Sequence, residues 1–148
     1  MIFAKPNHIP TFVIEKLQLL LALLTERKRE FEALARKLEN RPLRRTVLEL
    51  AQECNQYAHE LLSQLETLTG QVVYPDEKEH AEDTTLLSAE DDILQSCQLS
   101  EQKVIVAYRS ILNEPLLDEN LRNLLRNQRQ GLTCAFMQIK LLNSTLSH

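Results

Sequence analysis

The sequence predicts an all-α fold, one domain of four helices packed as a bundle. Three observations predict it. Only 2 of 148 residues are glycine and 5% are aromatic, while Leu, Glu, Gln, Arg and Ala dominate, which is the composition of long helices and not of sheets and tight turns. Apolar residues recur at three- and four-residue steps in four segments, the signature of helices with one buried face. Two of the three connections are short and one is long. A chain of this length buries a core without disulfides or structural metals.

The first helix, about residues 12–39, carries Leu17, Leu20, Leu24, Phe31, Leu34 and Leu38 on one face, with Arg27 among them. It stops at "ENRP", where Asn40 and Pro42 make a turn. The second, about 42–69, places Leu43, Val47, Leu50, Cys54, Tyr57, Leu61 and Leu68 on its seam and closes at Gly70. The third, about 89–113, begins after Ser88, a good N-cap followed by acids that suit the helix dipole. Its seam is Leu94, Cys97, Glu101, Val104, Tyr108 and Ile111. A break at Pro115 precedes the fourth, about 117–145, with Leu121, Leu125, Gln128, Leu132, Ala135, Ile139 and Leu142.

Short turns make hairpins of the first two and the last two helices. The link at 70–88 holds "GQVVYPDEKEHAEDTTLL", which extended reaches roughly 60 Å. A helix of this length spans about 39 Å, so the link can run the whole bundle. Two antiparallel hairpins joined by a long crossover is the ferritin-like arrangement.

The polar residues on the seams carry the functional question. A charge or amide on an apolar face must find a partner. Counting from the turns puts Arg27, Glu53 with Gln56, Glu101 and Gln128 at one mid-bundle height, as a buried polar layer. A ferritin-like protein keeps two metals at that height, held by two lone Glu and two Glu-x-x-His pairs. Here Glu26, Glu53 and Glu101 stand at carboxylate positions, while Gln56 and Gly131 stand at the histidine positions and Gln128 at that of a carboxylate. The reading favoured is metal-free, with Arg27 pairing Glu53, Glu101 or both through its planar fork. The alternative is an atypical iron or manganese site on Glu26, Glu53 and Glu101, for binding or oxidation.

The segments "REFEALARKL", "LELAQECNQYAHELLSQL", "SEQKVIVAYRSIL" and "LLRNQRQGLTCAFMQIKLL", in that order and spacing, resemble a bacterial family of ferritin-like four-helix proteins with a domain of unknown function. The resemblance covers most of residues 12–145. It implies the same bundle and assigns no chemistry. Two departures stand out: a shorter crossover, and Phe136 where the family often has histidine.

Other motifs are weaker. "AHELLS" is distantly similar to the phosphoacceptor core of histidine-phosphotransfer bundles, which would make His59 the acceptor, but Leu62 and Ser63 replace the Lys and Gly. A solvated histidine is the plainer reading. His80 lies among acids in the link, at no dedicated metal spacing. Cys54, Cys97 and Cys134 are odd in number and widely spaced, so they read as core fillers and not as a disulfide or zinc set; a Cys97–Cys134 redox pair is the weaker option. The basic runs "ERKRE" and "RPLRR" read as solvated faces, and the net charge of −4 argues against nucleic acid. No run is long enough to span a membrane and the start is not a secretory signal, so the expected location is cytoplasmic. Finally Leu19, Leu20, Leu21, Leu23 and Leu24 circle most of the first helix, which suggests burial on a second side. A homodimer through that helix is expected, unless Met1–Pro10 folds back over it.

Overall fold

Helix α1 is built by a continuous apolar face that starts where Pro10 sets an extended entry and ends where Leu38 turns extended (ψ 134°). The computed structural model describes residues 9–71 and 91–146, with side chains in the second stretch from 95 to 145. Within them lie four helices, α1 Thr11–Lys37, α2 Arg41–Thr69, α3 Asp91–Leu112 and α4 Glu119–Leu146. The fold is an all-α four-helix bundle. Each of α1 and α4 packs on both α2 and α3, while α1 and α4, like α2 and α3, sit across the diagonals. Most of the 70–88 link, with Ser88, His80 and the first residues of the expected third helix, lies outside the described residues. So do Met1 to His8.

Each turn is fixed by its own sequence. Asn40 accepts the Leu43 amide at 3.0 Å as N-cap of α2, and Pro42 fits the first turn. Arg44, taken from sequence as part of a solvated basic face, forks onto the Leu38 carbonyl at 3.0 and 2.7 Å and clamps the turn. The second turn repeats the device: Arg122 donates to the carbonyls of Leu112 (2.6 Å) and Glu114 (2.9 Å). Asp118 caps α4 through the amides of Asn120 and Leu121, so α4 begins at Glu119 and not at 117. Gly70 closes α2 in the left-handed region (φ 72°), its amide on the Glu66 carbonyl; a side chain there would be strained.

One core runs the length of the bundle. Leu17, Leu20 and Leu24 of α1, Leu50, Leu61 and Leu65 of α2 and Leu125, Leu132 and Ile139 of α4 all belong to it and are fully buried; each such side chain is worth roughly 1.5–3 kcal/mol of transfer free energy. Phe31 and Phe136 touch edge to face, centroids 5.9 Å apart. Four seam assignments change, one of them on α2, where fully buried Leu65 takes the place of half-buried Leu68. Ser100, not Glu101, is buried on α3; Phe136, not Ala135, on α4; and Ala58 takes the place of Tyr57, which is half-buried. At 3.6 residues per turn, neighbouring positions share the edge of a seam. The bundle buries the member that is cheaper to desolvate or larger and apolar.

Of the five leucines between positions 19 and 24, three are used inside the chain. Leu20, Leu21 and Leu24 are buried, Leu23 is half-buried, and only Leu19 stands out at 71% exposure. Ile9 joins the core from the entry segment. Among the described residues, no helix is long and apolar enough to cross a membrane.

Candidate functional site

The polar seam residues do not form one layer. They form two buried clusters and a cleft. The first cluster centres on Arg27, which is 5% exposed. Its guanidinium donates to Ser100 Oγ of α3 at 3.2 Å and pairs with Glu26 at 3.4 Å and Glu30 at 3.3 Å. Ser100 in turn donates to Glu30 at 3.4 Å. Nε is buried without a partner. The expected pairing of Arg27 with Glu53 or Glu101 is therefore corrected: its acids are neighbours on its own helix, half exposed. Glu101 stands outside the core and pairs with Lys140 of α4 at 3.3 Å.

The second cluster centres on Gln128, 1% exposed. Its Oε1 accepts the hydroxyl of fully buried Tyr108 at 2.9 Å. Its Nε2 donates to Glu60 at 2.9 Å and to the Tyr57 carbonyl at 3.3 Å. The amide is satisfied at both ends, and burial pushes the Tyr108 hydroxyl far above its ordinary range. Ser100 and Tyr108 are eight residues apart on α3, so the two clusters lie about 12 Å apart along the axis. Counting from Pro115 misplaced them. Tyr108 and Gln128 are equidistant from Asp118, because the second turn runs on past Pro115 before α4 starts.

The cleft lies between α2 and α4 and has a volume of ≈ 340 Å³. Glu49, Gln52, Glu53 and Gln56 line its α2 side, and Gly131 and Ala135 its α4 side. The small residues on α4 leave space where larger ones would close the helices together. Tyr57 lies over Gly131 so closely that a Cβ on residue 131 would collide with its hydroxyl. That hydroxyl donates to Glu53 Oε2 at 3.2 Å, while Glu53 Oε1 is buried and unpartnered. Burial pushes the Glu53 carboxyl above its usual range, the Tyr57 hydroxyl holds it down in part, and the charge of Glu49 adds to the rise. Burial and the adjoining Glu53 push the Tyr57 hydroxyl up to about 12. Gln56 is exposed and bonded to Glu60 at 3.1 Å, so it belongs to no buried layer.

The remaining candidates are placed as follows. Glu26, Glu53 and Glu101 face three different surroundings: Arg27 on α1, Tyr57 in the cleft, and Lys140 of α4. Among the described residues no group of three His, Cys, Asp or Glu is arranged to hold a metal. The residues present do not fit a di-iron or di-manganese centre. His59 is exposed, with Nδ1 2.8 Å from the Asn55 carbonyl, to which it donates, since a carbonyl only accepts. Cys54 and Cys97 are buried and Cys134 is exposed, all three as free thiols. Burial pushes Cys54 and Cys97 up to about 12, so as thiols they are inert fillers at neutral pH.

Sequence reasoning missed Ser100, Glu60 and the role of Gly131. Ser100 and Glu60 sit one position from residues assigned to a seam or to the surface. Gly131 did carry a signal: a glycine inside a helix is costly unless something needs the room. No family model, no curated protein and no solved structure matches this chain.

Proposed function

We propose that this chain is a metal-free ferritin-like bundle acting as a binding, structural or stress-associated module, with no catalysis of its own. Direction supports the ferritin-like part. Lys16, near the start of α1, reaches Ser110 and Glu114 near the end of α3, while Arg27 farther along reaches Ser100. Tyr57 of α2 meets Gln128 of α4, and Glu53 meets Gly131. Partners thus run in opposite senses, which makes α2 and α3 parallel across the diagonal and demands a link as long as the bundle. A cytoplasmic location and a homodimer through α1 belong to the same reading. For the dimer, exposed Phe12 and Leu19 stand one heptad apart on α1, and exposed Leu99 and Val106 one heptad apart on the neighbouring α3.

The observation that carries the metal-free reading is that the candidate carboxylates stand apart, Glu26 at Arg27, Glu53 at Tyr57 and Glu101 at Lys140. Arg27 has Glu26, Glu30 and Ser100, and Gln128 has Tyr108 and Glu60. A bridging carboxylate set needs acids that converge; here they diverge. Elemental analysis of protein purified without chelators tests it. The expected result is iron and manganese far below one atom per chain. Stoichiometric metal that disappears in Glu53→Gln or Glu101→Gln overturns it and restores the di-metal alternative.

A further inference from the structure

Four of the eight large apolar side chains exposed among the described residues, Phe12, Leu19, Leu99 and Val106, border one seam, that between α1 and α3. The hydrogen bonds across the seam fix their place. Lys16 reaches Ser110 and Arg27 reaches Ser100, which marks the edge of each helix that faces the other. Phe12 stands four residues before Lys16 and Leu19 three after it; Val106 stands four before Ser110 and Leu99 seven before Val106. Residues three, four or seven apart share a helix face, so the four side chains form a strip on the outer side of this seam. Apolar residues scattered singly are ordinary surface; a strip is a contact site. The same bonds set the heights. Residue numbers rise along α1 as they fall along α3, and Leu19 comes within about 3 Å of the height of Val106. Phe12, near the start of α1, is level with the turn after α3, which carries exposed Leu116. Glu26 continues the line of Phe12 and Leu19 by one more heptad step. Lys103, exposed on α3 between Leu99 and Val106, lies within about 3 Å of the height of Glu26.

We infer that this strip docks a second copy of the chain about a two-fold axis parallel to the helices, so that α1 of each protomer lies along α3 of the other. Such a rotation keeps every height and exchanges left for right. It sets Leu19 against Val106 of the partner subunit, Phe12 against the partner's Leu116 and Glu26 against the partner's Lys103, and each contact occurs twice. The apolar pairs and the charge pair fall into register together. A two-fold axis across the helices lays α1 on α1 in the opposite sense. Centred at the level of Leu19 and Val106, it puts Phe12 over the partner's Glu26 and brings Glu15 beside the same acid, a like-charge contact that costs affinity. The strip runs about 24 Å, from Phe12 to the level of Leu99, and two helices of about 10 Å each make its width. That is roughly 500 Å² on each chain and about 1,000 Å² in all, which meets the lower limit of a specific interface. The arrangement rests on the homodimer proposed above and adds its face, its sense and its facing residues.

The test begins with sedimentation of the parent chain at micromolar concentration, where a dimer is expected. Leu19→Cys and Val106→Cys are then made separately in a Cys134→Ser background, which removes the exposed native thiol, and circular dichroism checks that each is folded. A short bis-maleimide is added to each variant alone and to an equilibrated mixture of the two. The mixture is expected to give cross-linked dimer in at least about fivefold the yield of either variant alone, because positions 19 and 106 face each other across the interface while each is diagonal to its own copy. As a second readout, Lys103→Glu raises the dimer dissociation constant about tenfold, since it sets an acid against the partner's Glu26 in two places. Leu19→Cys that cross-links alone as well as in the mixture overturns the inference. So does a dimer that cross-links in no sample, and so does an unchanged constant for Lys103→Glu; in each case the homodimer stands in another arrangement. A monomeric parent removes the homodimer itself, and this arrangement with it.

Discussion

Glu53 is the residue whose surroundings serve it least, and its titration reports this. Its carboxyl is pushed above the usual 4.5 by burial and by Glu49. For an acid raised in the folded state, the native form holds the proton longer than the unfolded form. Stability therefore falls as pH climbs from the unfolded value through the folded one, and stays lower above it. A glutamine in its place keeps the acceptor for Tyr57 and cannot ionise. Glu53→Gln is expected to match the parent below about pH 4.5 and to be more stable at neutral pH, by an increment seen in denaturant midpoints measured under both conditions. An increment that is flat or reversed in sign contradicts the surroundings described. Arg27 shows the opposite case. It is a buried cation whose carboxylate partners stand half in water, so it anchors α1 to Ser100 of α3 without the full cost of a buried ion pair. That a polar residue sat at each of positions 27 and 128 was legible from the apolar periodicity. Their partners were not, because a partner on another helix depends on register, and register came from turns whose exact ends the sequence leaves loose.

At the scale of the helices, the α2–α4 contact is set by Gly131. Alanine is worth up to about 1 kcal/mol more than glycine inside a helix, yet a methyl group at 131 meets the Tyr57 hydroxyl head on, and overpacking of this sort costs about 1–3 kcal/mol. Gly131→Ala is expected to destabilise the bundle, and the same change in a Tyr57→Leu background to stabilise it by about 0.5–1 kcal/mol. A double-mutant cycle by chemical denaturation reads the coupling directly; a cycle that closes with no coupling would show that Tyr57 does not rest on this glycine. The two turns work at this scale as well. Arg44 and Arg122 each sit in the first turn of the helix that follows and tie it to the last carbonyls of the helix before. In sequence both look like surface arginines, since nothing local distinguishes a guanidinium that clamps a turn from one that hydrates.

At the scale of the whole molecule, the proposed dimer makes a sharp demand. Most of the leucine on α1 is consumed by the chain's own core, and Leu19 with Phe12, Leu99 and Val106 remains outside. If α1 and α3 together form the face of a homodimer, Leu19→Glu should yield a monomer by sedimentation or light scattering at micromolar concentration while its helical circular dichroism is unchanged. A parent protein that is monomeric under the same conditions removes the homodimer from the reading, and the exposed side chains are then scattered apolar surface of the ordinary kind.

What the sequence by itself determined was the kind of structure: four helices, their seams to within a residue, the turn at Asn40 and Pro42, the stop at Gly70, and a link long enough to span a bundle. Each of these follows from local propensity and a period of 3.6, which are properties of a segment read alone. What only the tertiary structure decided was company. Ser100 rather than Glu101 enters the core, Gln128 meets Tyr108 and Glu60, Glu26, Glu53 and Glu101 part ways, and Gly131 opens a cleft beneath Tyr57. The physical reason is that a shift of a single position turns a helical side chain by about 100° and moves it about 1.5 Å along the axis. Such a shift is invisible in the hydrophobic pattern, and it is enough to exchange one hydrogen-bond partner for another.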